Sequence, residues 1–219
     1  MKEPGEPRSI VRGSRSRSAS RMRRSLLAAV GLGVLAGACA RHNVRRIDLP
    51  HVPEGIALGM SLSALRTTRP GIIVDSGEPY EMLTKELAVS YELAKGDLEV
   101  LTVTYTSRDS AAWRTFRVGT QSDLHDRGWR AVAETSYALR SGSGRELALR
   151  QMSLFSRDSQ FVLLDVGAVP IGADMARRSV VVRVGACDVA AARLAPNQSA
   201  VALVAAMLSD GRRRTDGRC

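Results

Sequence analysis

The sequence predicts an α+β fold in which short helices pack on antiparallel β-sheet, arranged as two tandem helix-plus-hairpin modules. Three observations predict it. From Glu86 onward, apolar residues recur at every second position through several stretches separated by short turns, the signature of strands with one buried face. Two glycines sixty residues apart, Gly59 and Gly119, each precede a short stretch that a polar residue can cap as a helix. An Ala-rich stretch near the C-terminus repeats with helical period.

The chain begins with residues 1–38, a basic leader and signal. Residues 12–21 are low in complexity, basic and poor in apolar side chains, so they cannot bury a core. Translation starting at Met22, or an extended cationic start to the signal, explains them. Met22 to Cys39 reads as a signal: Arg23 and Arg24, an uncharged apolar run from Leu26 to Leu35, then Ala36, Gly37 and Ala38 directly before Cys39. The uncharged segment ends at Arg41 and falls short of the roughly 20 apolar residues that span a bilayer.

Leu35 to Cys39 resembles the lipobox of bacterial lipoproteins, with Ala36 where leucine is commonest. The resemblance implies that the Cys39 thiol is acylated and heads the mature chain. Ala40, in place of the aspartate that marks inner-membrane retention, implies the outer membrane. The alternatives are an ordinary signal with an incidental cysteine and an uncleaved anchor. Arg23 to Leu27 also resembles a twin-arginine export signal.

The net charge of +10 is concentrated in this leader. Residues 1–38 hold eight Lys or Arg and two Glu, which leaves 24 basic and 20 acidic residues, a net of +4, in the remainder. An interspersed surface of that kind is not expected to bind nucleic acid.

Residues 39–54 are expected to be the acylated cysteine and a tether, with Pro50 and Pro53 and no sustained period. Residues 55–117 form the first expected module. In it Ser61 caps a helix bearing Leu62 and Leu65, and Pro70-Gly71 stops it. Leu87, Val89, Tyr91 and Leu93 then alternate, Lys95-Gly96-Asp97 turns the chain, and Leu101, Val103 and Tyr105 alternate again, with a bulge expected at Val100-Leu101. Residues 118–211 form the second expected module. A helix is expected from Val118 to Leu124, followed by strands from Trp129 to Leu139, Glu146 to Phe155, Gln160 to Val169 and Val180 to Val184. A last helix, Gln198 to Ser209, is expected to stop at Gly211. Residues 212–219 are expected to fray.

Gly59, Met60, Ser61, Leu65 and Pro70, followed by a tyrosine-bearing hairpin, resemble the BamE (SmpA/OmlA) outer-membrane assembly lipoproteins and the related beta-lactamase-inhibitor-protein modules. The resemblance spans about fifty residues and implies helices on an antiparallel sheet that docks protein partners.

Catalytic signatures are sparse. The sequence holds no Gly-x-Ser-x-Gly elbow and no phosphate loop ending in Lys-Ser or Lys-Thr. His42, His51 and His125 have no metal-ligand spacing. His125, beside Asp123 and Asp126, reads as a solvated residue with a general base as the alternative, and Glu78, Glu81 and Glu86 read as a solvated acidic loop with a carboxylate pair as the alternative. No catalytic residue, metal or cofactor is therefore assigned. With Cys39 acylated, Cys187 and Cys219 remain as a candidate disulfide, closing a loop of about thirty residues and contributing roughly 3 to 4 kcal/mol; two free thiols are the alternative. The functional expectation is a membrane-anchored periplasmic lipoprotein, held through Cys39, that binds an envelope protein partner without catalysis. A divergent envelope hydrolase or small-molecule-binding protein is the alternative.

Overall fold

The computed structural model describes residues 45–75, 77–140, 146–170 and 176–215. In chain order the strands and helices are β1 (Arg45–Arg46), β2 (Ala57–Leu58), α1 (Leu62–Thr68), β3 (Tyr80–Met82), β4 (Leu87–Ala94), β5 (Asp97–Ser107), α2 (Ser110–Asp126), β6 (Arg130–Arg140), β7 (Glu146–Arg157), β8 (Gln160–Pro170), β9 (Ala176–Ala186), α3 (Ala191–Leu194) and α4 (Val201–Arg214). The protein is α+β, as its alternation predicts. Seven strands form one antiparallel sheet in the order β3-β4-β5-β9-β8-β7-β6, and β1 and β2 make a separate two-stranded ribbon. Strands of both expected modules meet in this one sheet where β5 pairs with β9.

Local chemistry sets the elements. Ser61 Oγ accepts from the Ala64 amide and caps α1, and Gly59 reaches its φ of +83° at the entry. Lys95 and Gly96 both take positive φ, the twist that a two-residue turn needs to match its strands. Glu92 faces Val100 while Leu93 faces Leu98, so Glu99 is the extra residue of a bulge, one position before the expected site.

The pleat gives the sheet two faces. On the first, Val89, Tyr91, Leu101, Val103, Val162, Leu164, Val180, Val182 and Val184 are buried with Leu65 of α1 and Leu124 of α2. On the second, Val100, Met152, Leu154, Phe161 and Leu163 are buried against Leu194 of α3 and Val204, Met207 and Leu208 of α4.

Three expectations are corrected. Residues 45–54 are not a tether: Ile47 and Leu49 are 6% and 4% exposed, inside the first core, and the Trp129 indole donates to the Asp48 carbonyl at 3.0 Å. Two apolar positions among charges and prolines are too short a period to announce a docked strap. The second helix begins at Ser110, capped by the Asp109 carboxylate, so Gly119 lies inside it and the sixty-residue glycine register marks no repeat. Its inward stripe of Trp113, Phe116, Thr120 and Leu124 is disguised by Thr120, whose hydroxyl bonds back to the Phe116 carbonyl at 2.8 Å. The last helix runs through Gly211 to Arg214. That glycine is buried, and a Cβ on it would lie 3.0 Å from the Phe161 ring, so it permits close packing instead of ending the helix. Arg212 to Arg214 belong to this helix, and Arg212 donates to the carbonyls of Cys187 and Val189.

Candidate functional site

The second face is only partly covered, and a cavity of about 310 Å³ opens on it. Ser90 of β4, Thr102 and Thr104 of β5, and Val181 and Arg183 of β9 line it together with Arg150, Asp165, Leu139 and the Pro196-Asn197 segment. Register explains the grouping. Thr102 sits opposite Ser90 on one side and Arg183 on the other, and Val181 sits between Thr104 and Asp165.

At one wall, Arg150 and Asp165 form a buried ion pair, with side chains 7% and 3% exposed. Arg150 Nε donates to both Asp165 oxygens at 3.1 and 3.0 Å and Nη2 donates to Oδ2 at 2.8 Å and to Ser179 Oγ at 3.0 Å. The Tyr137 hydroxyl donates to Asp165 at 3.5 Å and accepts from the Asn197 amide at 3.0 Å. Gly167 lies directly across from Arg150, and a Cβ there would come within 2.8 Å of the Arg150 Cγ. Only glycine leaves the guanidinium stem its lane. Burial pushes the Asp165 carboxyl above the usual aspartate value, and the Arg150 guanidinium draws it part of the way back.

At the other wall, Arg183 Nη1 donates to the carbonyls of Arg193 and Ala195 at 2.9 and 3.0 Å, which ties α3 and its exit to the sheet. Its Nη2 pairs with Glu92 at 3.1 Å. Arg183 Nε and Thr102 Oγ1 are buried and have no hydrogen-bond partner. Such atoms are uncommon, because each costs about 1 to 3 kcal/mol of lost hydration. The Arg150–Asp165 pair is satisfied together with Ser179 and Tyr137 and acts as scaffold. The open chemistry is a guanidinium N–H and a hydroxyl, which together suit an oxygen acceptor.

Two outcomes follow here. Thr102→Val deletes an unpaired buried hydroxyl at nearly constant volume. The ligand-free protein is expected to gain about 1 kcal/mol in a urea titration; an equal loss would mean that the hydroxyl is already satisfied. Burial also pushes the Glu92 carboxyl above the ordinary glutamate value, with Arg183 opposing it. The folded state therefore holds this proton more tightly than the unfolded chain. The stability that Glu92 contributes is present below the ordinary glutamate range and is lost as pH rises through the raised folded value. Glu92→Gln is expected to flatten that descending limb in denaturation midpoints taken across pH.

The residues singled out from sequence lie elsewhere. His125 is exposed at the end of α2, with its ring edge-on to Phe155 of the first face. His51 stacks on Phe116. Glu81 and Glu86 are not a solvated loop: Glu81 is bound by Arg69 at 2.5 and 3.1 Å and by the Tyr91 hydroxyl at 3.4 Å, and Glu86 accepts from Tyr105 and Ser107. Cys187 is disulfide-bonded, and its partner lies outside the described residues, as do both Cys39 and Cys219. His42 lies there too, as do Ser141 to Gly144, which the sequence reads as a turn between two strands. Among the described residues no helix is long and apolar enough to cross a membrane.

No known family model, curated protein or solved structure matches the chain. The class is therefore defined by geometry: an α+β protein with a half-covered antiparallel sheet and a polar cavity on its open half.

Proposed function

We propose that the protein is a bacterial envelope lipoprotein, anchored through acylated Cys39 in the outer membrane and facing the periplasm, whose folded body is a non-catalytic binding module. The observation that supports binding is the uncovered half of the second sheet face, where two buried polar atoms, Arg183 Nε and Thr102 Oγ1, have no partner inside the fold. A partner whose oxygen acceptor reaches the Arg183 Nε–H or the Thr102 hydroxyl relieves the deficit there. The Cys187 disulfide fits an oxidising compartment, and Cys219 is its partner once Cys39 carries lipid. A second reading, binding of a free small molecule, is favoured by the cavity volume.

Intact mass and membrane fractionation test the anchor. The expected mature species begins at an acylated Cys39 and leaves the membrane in Cys39→Ser; an unacylated soluble wild type would overturn it. A photo-crosslinker replacing Ser90 or Thr104 tests the face. The docking reading expects a discrete protein adduct in cells. The small-molecule reading expects none, together with a bound mass retained by the native protein.

A further inference from the structure

A second surface on the molecule is distinct from this cavity and has a different chemistry. Two adjoining cavities share Arg157, Asp158 and Ser159 at the turn between β7 and β8. Arg45, Arg46 and Asp48 line one of them, with Trp129, and Arg130 and Arg214 line the other. Five arginines thus face two aspartates. Asp48 is shared by Arg157, at 2.8 Å, and by Arg127, and Asp158 also pairs with Arg157. Arg45 and Arg214 meet Asp188 and Asp210 outside these cavities, so the surplus charge rests on Arg46 and Arg130. Arg46 and Arg130 are exposed and have no carboxylate within ion-pair distance among the described residues. The turn of α4 that carries Arg214 adds Arg212 and Arg213, also exposed, against Asp210 alone.

The position of this surface matters as much as its charge. Arg45 and Arg46 are the first described residues of the body, and five residues separate Arg45 from Cys39. A chain of that length reaches at most roughly 20 Å when fully extended. With Cys39 acylated as proposed, the part of the body nearest the anchor along the chain is this arginine-rich end. The hydrogen bonds from Gln160 to the carbonyls of Arg45 and Arg46, and from Arg45 to the Ser159 carbonyl, fix the exit of the chain to the same turn.

We propose that this end is the membrane-docking face of the protein, where Arg46, Arg130 and their neighbours receive the phosphates of anionic phospholipid head groups in the leaflet that holds the acyl chains. The inference rests on the anchoring at Cys39 proposed above. Guanidinium groups suit the task because they pair with phosphate oxygens through two parallel N–H donors. Cationic residues beside an anionic leaflet each strengthen attachment about fivefold, and the gain is screened by salt.

The test partitions the acylated mature protein between vesicles of phosphatidylcholine and vesicles of phosphatidylcholine mixed with phosphatidylglycerol. The expected result is a clear preference for the anionic vesicles that high salt abolishes. Arg46→Gln with Arg130→Gln is expected to cut that preference by roughly 30-fold. Arg108→Gln with Arg177→Gln, exposed positions toward the opposite ends of β5 and β9, is expected to leave it unchanged. Phenylglyoxal labelling of the vesicle-bound wild type is expected to slow several-fold at Arg46 and Arg130 and not at Arg108 or Arg177. An equal distribution between the two vesicle types, with firm attachment to both, overturns the docking face and leaves the anchor standing. Attachment to the anionic vesicles alone removes the anchor and leaves the basic face. Loss of attachment to both removes the two together.

Discussion

Asp165→Ala is expected to lower the unfolding free energy by about 3 to 5 kcal/mol, because it strands the Arg150 guanidinium in a setting where its side chain is only 7% exposed. The loss comes from an uncompensated buried cation more than from the pair's own attraction. Two further variants separate those causes. Asp165→Asn keeps an oxygen that can accept from Arg150 and is expected to cost less. Replacing both partners together, Arg150→Met with Asp165→Leu, removes the charges and their desolvation cost, and is expected to recover most of the loss. Urea denaturation with a constant m-value reads all three. If the double variant is as unstable as Asp165→Ala, the bonds to Ser179 and Tyr137 hold this wall and the charge balance does not.

The same pair shows where the sequence is legible and where it is not. Period-two alternation in Leu87 to Leu93 and Leu101 to Tyr105 exposes the hairpin because one side of each strand meets a continuous apolar core. Ser61 announces α1 because capping is a local interaction. The cavity rests on Arg150, Asp165 and Arg183, each a single charge inside an apolar strand run. That isolation was a usable signal, since a charge buried in a sheet has to find a partner. Which charge pairs with which is set by long-range register: β7 beside β8 and β9 beside β5, with Gly167 opening the lane for Arg150. Thr102 gives no local sign at all. Its hydroxyl is unpaired only because its neighbours across the sheet are Ser90 and Arg183 and neither satisfies it. The strap at 45–54 is illegible for a related reason: its two apolar anchors gain meaning only against Trp129, eighty residues later.

Trp129→Ala is expected to cost about 3 to 5 kcal/mol, the range for deleting a buried tryptophan, and to do so with a spatial signature. Trp129 is 2% exposed in the first core, its indole holds the Asp48 carbonyl at 3.0 Å, and the Arg157 guanidinium lies 5.7 Å from its ring centre. Removing the ring therefore opens a cavity beside Ile47 and Leu49 and frees the strap at the same time. Trypsin is expected to cut at Arg45 or Arg46 in the variant well before the sheet unfolds, since local opening of a surface strap needs less energy than global unfolding. Trp129→Phe retains most of the apolar volume and leaves the Asp48 carbonyl without its donor, so a loss of about 1 to 2 kcal/mol is expected. Cleavage that appears only together with global unfolding in Trp129→Ala would show that the strap is held without the indole, by Ile47 and Leu49 and by the bonds of Arg45, Arg46 and Asp48 to Gln160, Ser159 and Arg157. In the docking proposed above, the attachment of this strap sets how rigidly the arginine-rich end would be held.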